Sequence, residues 1–230
     1  MFEQLDVAPP DAILGLTEAF KKDPNPEKIN LGVGIYQDDN GRTPILDTVK
    51  DAERLLLQTE SSKQYLPING SENYGSAVRD LIFGSSHDIV IARRTATAHA
   101  PGGTAALRVA AEFLRIKHAS PTIWMSDPTW ANHGNIFAAA GLKTKTYPYY
   151  DTQTRSLAFD AMADALRSVP AGDVVLLHGG CHNPSGMDPD QNQWRTIASI
   201  AQTRGWLPLV DFAYQGFADG ARRLLAVLDG

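Results

Sequence analysis

The chain has 230 residues, 43% of them hydrophobic and 20% charged, which is enough ordinary globular sequence for a substantial core and argues against a disordered or fibrous protein. A formal charge of −5 with a pI near 5.6 points away from nucleic acid as the main partner, because phosphate binding favours a basic face. The lone cysteine, Cys181, excludes an internal disulfide framework and suits a cytoplasmic setting, while no apolar run approaches the ~20 residues that span a membrane and residues 1–10 lack the pattern of a secretory signal.

Residues 1–30 read as an extended arm with one short helix over 12–22, closed by Asp23-Pro24-Asn25-Pro26. Leu31-Gly-Val-Gly34 follows, a place where backbone comes close to something. Residues 48–59 have helical spacing, with Val49, Ala52, Leu55 and Leu56 on one stripe, and residues 73–83 read the same way. From Thr95 a repeating pattern begins. The β-prone run 95–100 meets Pro101-Gly-Gly-Thr104 and then a helical segment over 105–117. The apolar run 122–125 leads through Asp127-Pro128 into a helix over 133–141. Val174–Leu177 precedes a loop and a helix over 191–204, and Leu207–Val210 ends at Asp211. Strands alternating with helices predict an α/β fold, a mostly parallel sheet flanked by helices. Ligands of such sheets sit beyond the carboxyl ends of the strands, so loops 101–104, 127–133, 178–186 and 211–216 are expected on one rim.

Several residues on those loops can carry chemistry. Gly102-Gly103-Thr104 opens a helix, where bare backbone N–H groups and the helix dipole favour a phosphate; the same turn can equally be structural, and it is neither a P-loop nor a full dinucleotide fingerprint. His178, Cys181 and His182 cluster, but a structural zinc site needs four ligands and no fourth lies nearby in sequence. Asp211 follows a buried strand, so its carboxylate can meet a cationic ring nitrogen, or it can simply cap a loop. Trp130 can stack on a planar ligand or merely pack. Ser185 lies near His182, yet Pro184 between them disfavours the strand–turn–helix elbow of a serine hydrolase.

Six stretches taken together resemble the aspartate/aromatic branch of the class I aminotransferases, fold type I pyridoxal-phosphate enzymes. They are Ile29-Asn-Leu-Gly-Val-Gly34, Tyr65-Leu-Pro67, Ala100-Pro-Gly-Gly-Thr-Ala-Ala-Leu107, Asp127-Pro-Thr-Trp-Ala-Asn-His133, His182-Asn-Pro-Ser-Gly186 and Asp211-Phe-Ala-Tyr-Gln-Gly-Phe217. The resemblance implies an amino-terminal arm with part of a small domain (1–43), a partial large cofactor-binding domain (44–220) and a divergent tail (221–230). It implies pyridoxal phosphate as cofactor, an amino acid and a 2-oxo acid as substrates, and a homodimer. By the same resemblance Gly102, Gly103 and Thr104 hold the cofactor phosphate, joined by Tyr65 from the neighbouring subunit. Trp130 and Ala213 sandwich the pyridine ring, Asp211 pairs with its nitrogen, and His133 supports Asp211. Tyr214 and Asn183 reach the phenolic oxygen, while Gly34, Trp130 and Asn183 lie near the substrate. Ser185 stands where the family usually has threonine, and His99 where glutamine is common.

The family's Schiff-base lysine is expected within a Ser-x-Ser-Lys stretch after the Asp-x-x-Tyr motif. The last lysine here is Lys145, so no catalytic residue is assigned, and the chain is expected to be cut off before that lysine. Ala221–Gly230 lacks the acidic continuation typical of the family, as a frameshift, an early stop or a mis-joined fragment would produce. The alternative expectation is a catalytically inactive remnant that binds cofactor or pairs subunits. Truncation is also expected to leave residues 95–100 without a strand partner and 207–210 as an exposed edge.

Overall fold

The computed structural model describes residues 18–29, 35–38 and 40–217. Gly34, the Leu31–Gly34 stretch, most of the arm and the tail 221–230 therefore lie outside the described residues. The chain divides into two compact units, Met1–Gln64 and Tyr65–Gly230.

In the first unit residues 18–22 are helical, and α1 spans Asp47–Thr59. The helix is amphipathic but has no buried residue: Leu55, Leu56 and Leu57 all remain exposed. Its ion pairs, Lys50–Glu53 and Arg54–Asp51, are solvent-exposed i,i+3 contacts, each worth only a few tenths of a kcal/mol (about 0.3).

In the second unit α2 (Glu72–Phe83), the single turn α3 (Asp88–Ile91) and α4 (Gly103–Lys117) precede the sheet. Strand β1 (Ile123–Asp127), α5 (Asn132–Ala139), β2 (Thr144–Pro148), a small hairpin of β3 (Tyr150–Asp151) and β4 (Ser156–Leu157), α6 (Phe159–Ser168), β5 (Val174–His178), α7 (Gln191–Arg204) and β6 (Leu207–Asp211) follow. The four long strands are all parallel, in the order β2-β1-β5-β6.

Period-two alternation divides the core between the two faces of this sheet. Val174 and Leu176 of β5, with Ile123 and Met125 of β1, pack against Leu107, Ala111 and Leu114 of α4 and Ile136 and Phe137 of α5. Val175 and Leu177 turn the other way, onto Met162 and Leu166 of α6 and Trp194 and Ile197 of α7. Every residue of β5 is buried, as a central parallel strand covered on both faces should be. At α7 the Asp190/Gln193 capping box closes the start, and Gly205 at φ 74° ends the helix in the left-handed region where a Cβ is costly.

Two expectations need correction. Residues 95–100 form no strand, against their β-prone sequence but in keeping with the expected lack of a partner; their polar groups turn locally instead, with the His99 N–H donating to the Asn69 carbonyl at 3.0 Å and the His99 ring stacked on Tyr74 at 4.0 Å. The fourth strand is β2, which the sequence hides because it ends in proline, has three exposed positions at its start and sits at the sheet edge, where proline costs no ladder bond. Helix α6 also escapes the sequence pattern analysis, although its buried Met162, Ala163 and Leu166 follow helical spacing. Strand β6 is the other edge, with Leu207 and Val210 exposed as anticipated.

Candidate active site

The carboxyl ends of β1, β5 and β6 bring Asp127, His178 and Asp211 to one side of the sheet. The loop after β1 carries Thr129 and Trp130 and runs into α5, which delivers His133 from its first turn. Helix α4 presents its first turn toward the same side. Its last residue, Lys117, lies with Thr122 and Asp173 at the amino ends of the strands, and fifteen residues of helix at ~1.5 Å each carry the chain back about 22 Å along the sheet.

Asp211 and His133 form the centre of this rim. The His133 Nε2 lies 3.0 Å from Asp211 Oδ2, with the histidine fully buried and the carboxylate side chain 18% exposed. Burial alone would raise the Asp211 carboxyl, but the hydrogen bond and electrostatic pull of His133 and the Ala213 N–H (3.2 Å) outweigh it and hold the group below the ordinary carboxylate range. An ionised carboxylate therefore faces outward from a polar anchor. On the inner side the Thr129 hydroxyl lies 2.8 Å from His133 Nδ1 and 3.2 Å from His178 Nε2, linking the ends of β1, β5 and β6. Trp130 meets the His133 ring edge-on at 5.2 Å.

The loop after β5 is held as closely. The His182 ring sits between Ser126 Oγ (2.9 Å) and Ser185 Oγ (2.7 Å) and stacks on Tyr149 at 3.8 Å. Desolvation and the neighbouring histidines lower its pKa to about 3; the same causes, desolvation first and then His133, lower His178 to about 4. Both rings are thus neutral and hydrogen-bonded at physiological pH. The two do not assemble with Cys181 into a metal cluster among the described residues.

At α4, Gly102 adopts φ 91° and ψ 172° at the N-cap, and a Cβ placed on Gly102 or Gly103 would meet nothing within 4 Å. The first-turn N–H groups open onto free space, as an anion cradle at a helix start requires. Thr104 is exposed beside them.

Direct contacts join Trp130, His133, Asp211 and Ala213 in one cluster, with Asn183 attached through its backbone N–H to His178 Nδ1 at a long 3.5 Å. Tyr214 is half-buried three residues past Asp211. Tyr65 is fully exposed and Gly34 lies outside the described residues. Thr129, Ser126 and Asp188 escape analysis of the sequence. The signal for Thr129 lay inside the Asp127-Pro-Thr-Trp stretch, whose threonine bonds the His133 and His178 rings while its half-buried tryptophan packs in part against the α4–α5 core cluster.

No lysine of the second unit reaches this rim. Lys117 and Lys143 line a groove at the opposite end of the sheet, and the Lys145 ammonium on β2 lies 4.9 Å over the Trp124 ring of β1.

A model of the aminotransferase class I and II family matches residues 26–229. The chain belongs to that family. It is 49% identical to the aspartate aminotransferase of Escherichia coli over 96% of its own length and 56% of that protein's, and 44% identical to an aromatic-amino-acid aminotransferase of Pseudomonas aeruginosa over 95% and 55%. Among solved structures, an aromatic amino acid aminotransferase from Burkholderia cenocepacia superposes with a TM-score of 0.93 at 45% identity, covering 99% of this chain and 57% of that one. Another, from Burkholderia pseudomallei and described as covalently bound to pyridoxal phosphate, gives 0.92 at 40% identity with the same coverage. The chain thus has the incomplete fold type I architecture expected of it, and it spans little more than half the length of these aminotransferases.

Proposed function

We propose that the rim formed by Gly102, Gly103, Thr104, Trp130, Asn183, Asp211, Ala213 and Tyr214 holds pyridoxal phosphate, and that the activity this chain contributes to is amino-group transfer between aspartate, glutamate or an aromatic amino acid and a 2-oxo acid. The observation that carries the reading is the ionised Asp211 held by buried His133 at the end of β6, on the side of the sheet toward which the open Gly102–Gly103 helix start points.

The residues fit the group. The bare first-turn N–H groups of α4 and the Thr104 hydroxyl would bind its phosphate without a steric cost at Gly102. Asp211 would keep a proton on the pyridine nitrogen, and His133 keeps Asp211 ionised and aimed. Trp130 and Ala213 would flank the ring, with Asn183 and Tyr214 at its phenolic oxygen. When bound, the cofactor supplies the electron sink that makes loss of a substrate α-proton feasible. Asn183 and Trp130 would then position the substrate carboxylate.

Tyr65, fully exposed at the start of the second unit, suits a role in a neighbouring subunit's phosphate site, which makes a homodimer the expected assembly. A cytoplasmic protein with an arm and part of a small domain over 1–43, a large cofactor-binding domain over 44–220 and a tail over 221–230 is the organisation we favour. No helix among the described residues is long and apolar enough to cross a membrane.

A second reading concerns the 230-residue chain by itself. With no lysine of the second unit at the rim, that unit has no amine there to tether the cofactor or to move the α-proton, so it would bind without turnover. An assay separates the two. With aspartate and 2-oxoglutarate, or with phenylalanine or tyrosine as donor, the chain plus cofactor should transaminate no faster than cofactor alone. A version extended with a family-like continuation carrying the Ser-x-Ser-Lys stretch should turn over, and Asp211→Ala should lower that rate by about 10²-fold or more. Full activity of the extended Asp211→Ala variant would refute the assignment.

A further inference from the structure

The loop between His178 and Asp188 contains a backbone strain with its own counterweight. Cys181 sits at φ 51°, a left-handed conformation that a residue with a Cβ adopts only when its surroundings enforce it. Such a turn points successive N–H groups into one concavity, the arrangement that binds anions elsewhere. Here the anion is part of the chain: the Asp188 carboxylate accepts the Cys181 N–H at 2.7 Å on Oδ2 and the His182 N–H at 3.0 Å on Oδ1. These are charge-assisted bonds, the stronger class.

The next residue along is Asn183. His182 is fixed on both ring nitrogens by Ser126 and Ser185 and stacked on Tyr149, so its ring cannot follow a change in the turn without losing three contacts. The Gly186 N–H returns to the His182 carbonyl at 2.7 Å, and the Tyr149 hydroxyl donates to the Met187 carbonyl at 2.6 Å. Asn183 therefore leaves a turn whose entry is held by one carboxylate and whose exit is closed by the loop's own backbone. We propose that Asp188 is a positioning residue for Asn183, holding the left-handed turn at Cys181 so that the amide of Asn183 points to the rim. The proposal rests on the reading of Asn183 as a cofactor contact, and nothing in it requires Asp188 to touch the cofactor.

The test uses the 230-residue chain and two readouts. Amide hydrogen exchange at Cys181 and His182, with the Asn183 side-chain amide resonances, reports the turn without any cofactor. Equilibrium dialysis against pyridoxal phosphate reports binding. Asp188→Ala should raise exchange at both amides by about tenfold, shift the Asn183 amide resonances and weaken binding by about tenfold, the scale of one charge-assisted bond. Asp188→Asn keeps one acceptor and should fall between. In an Asn183→Ala background Asp188→Ala should add nothing to the binding loss, whereas a general loss of structure would add in full. Unchanged Asn183 resonances in Asp188→Ala, or additive losses in the double variant, would overturn the proposal. Equal binding by the unsubstituted chain and Asn183→Ala would instead remove the cofactor reading of Asn183, while the exchange data would still decide whether Asp188 holds the turn.

Discussion

The two ends of one sheet behave as different materials. At the carboxyl ends of the strands, His133, His178 and His182 are all buried, yet each ring is paired through Thr129, Ser126, Ser185 or Asp211. At the amino ends the described polar groups are half-buried or exposed, and no buried histidine network joins them. There Asp173 ties Thr122 N and Trp124 Nε1 (3.0 and 2.9 Å) and His118 meets the Gly172 carbonyl, while Lys117 and Lys143 stand in an open groove. The same helices and strands make both ends, so the difference comes from the loops. Burying a polar side chain costs free energy unless it is hydrogen-bonded, and a chain accepts several such burials together where they fix the geometry of a site.

The largest way to disturb the contrast is pH. The folded state keeps His178 and His182 neutral, with pKa values lowered to about 4 and about 3 from the ordinary 6.5. Because the folded values are depressed, unfolded chain takes up protons first as the pH falls. Stability is therefore full above about pH 6.5 and is lost progressively as the pH falls toward about 4 for His178 and about 3 for His182, on the order of 3 kcal/mol for each ring. Asp211, also depressed, adds a further loss below the ordinary carboxylate range. Urea unfolding between pH 7.5 and 4.5 measures this. A flat profile would mean the carboxyl-end histidines are not held neutral.

A smaller effect should follow from Thr129→Val, which removes the hydroxyl shared by His133 and His178 and leaves two buried ring nitrogens short of a partner. A loss of about 1–3 kcal/mol is expected, with Thr129→Ser close to the unsubstituted chain. Smallest of all should be Lys117→Ala and Lys143→Ala at the amino end, each within about 0.5 kcal/mol and without effect on cofactor binding.

How much of this was legible in sequence follows the same divide. Strands β1, β5 and β6 are apolar runs ending at Asp127, His178 and Asp211, so their rim residues could be named from the motifs alone. Strand β2 could not, because Thr144-Lys-Thr-Tyr-Pro148 is an exposed edge with one buried side chain, and only its neighbour β1 makes it a strand. Residues 95–100 misled in the opposite sense: alternating threonine and alanine looks β-prone, but a ladder needs a partner, and these residues bond to Asn69 and Gly75. At the candidate site, residues within the recognisable loop stretches were readable and the residues that anchor them were not. Asp211 and Trp130 sit in recognisable stretches, whereas Thr129 acts through His133 and the distant His178, 49 positions on, and Asp188 through Cys181, 7 positions back.

The claim that the carboxyl-end rim is a pyridoxal-phosphate site, and one that this chain occupies without a covalent tether, is tested most directly by one binding experiment. The 230-residue chain is dialysed against the cofactor, and a second portion is reduced with borohydride and mapped by mass spectrometry. Saturable binding is expected, weakened at least tenfold in Asp211→Ala and unchanged in Lys117→Ala and Lys143→Ala, with only scattered substoichiometric lysine labelling. Binding indifferent to Asp211→Ala, or a single stoichiometric adduct on one lysine, would contradict the account.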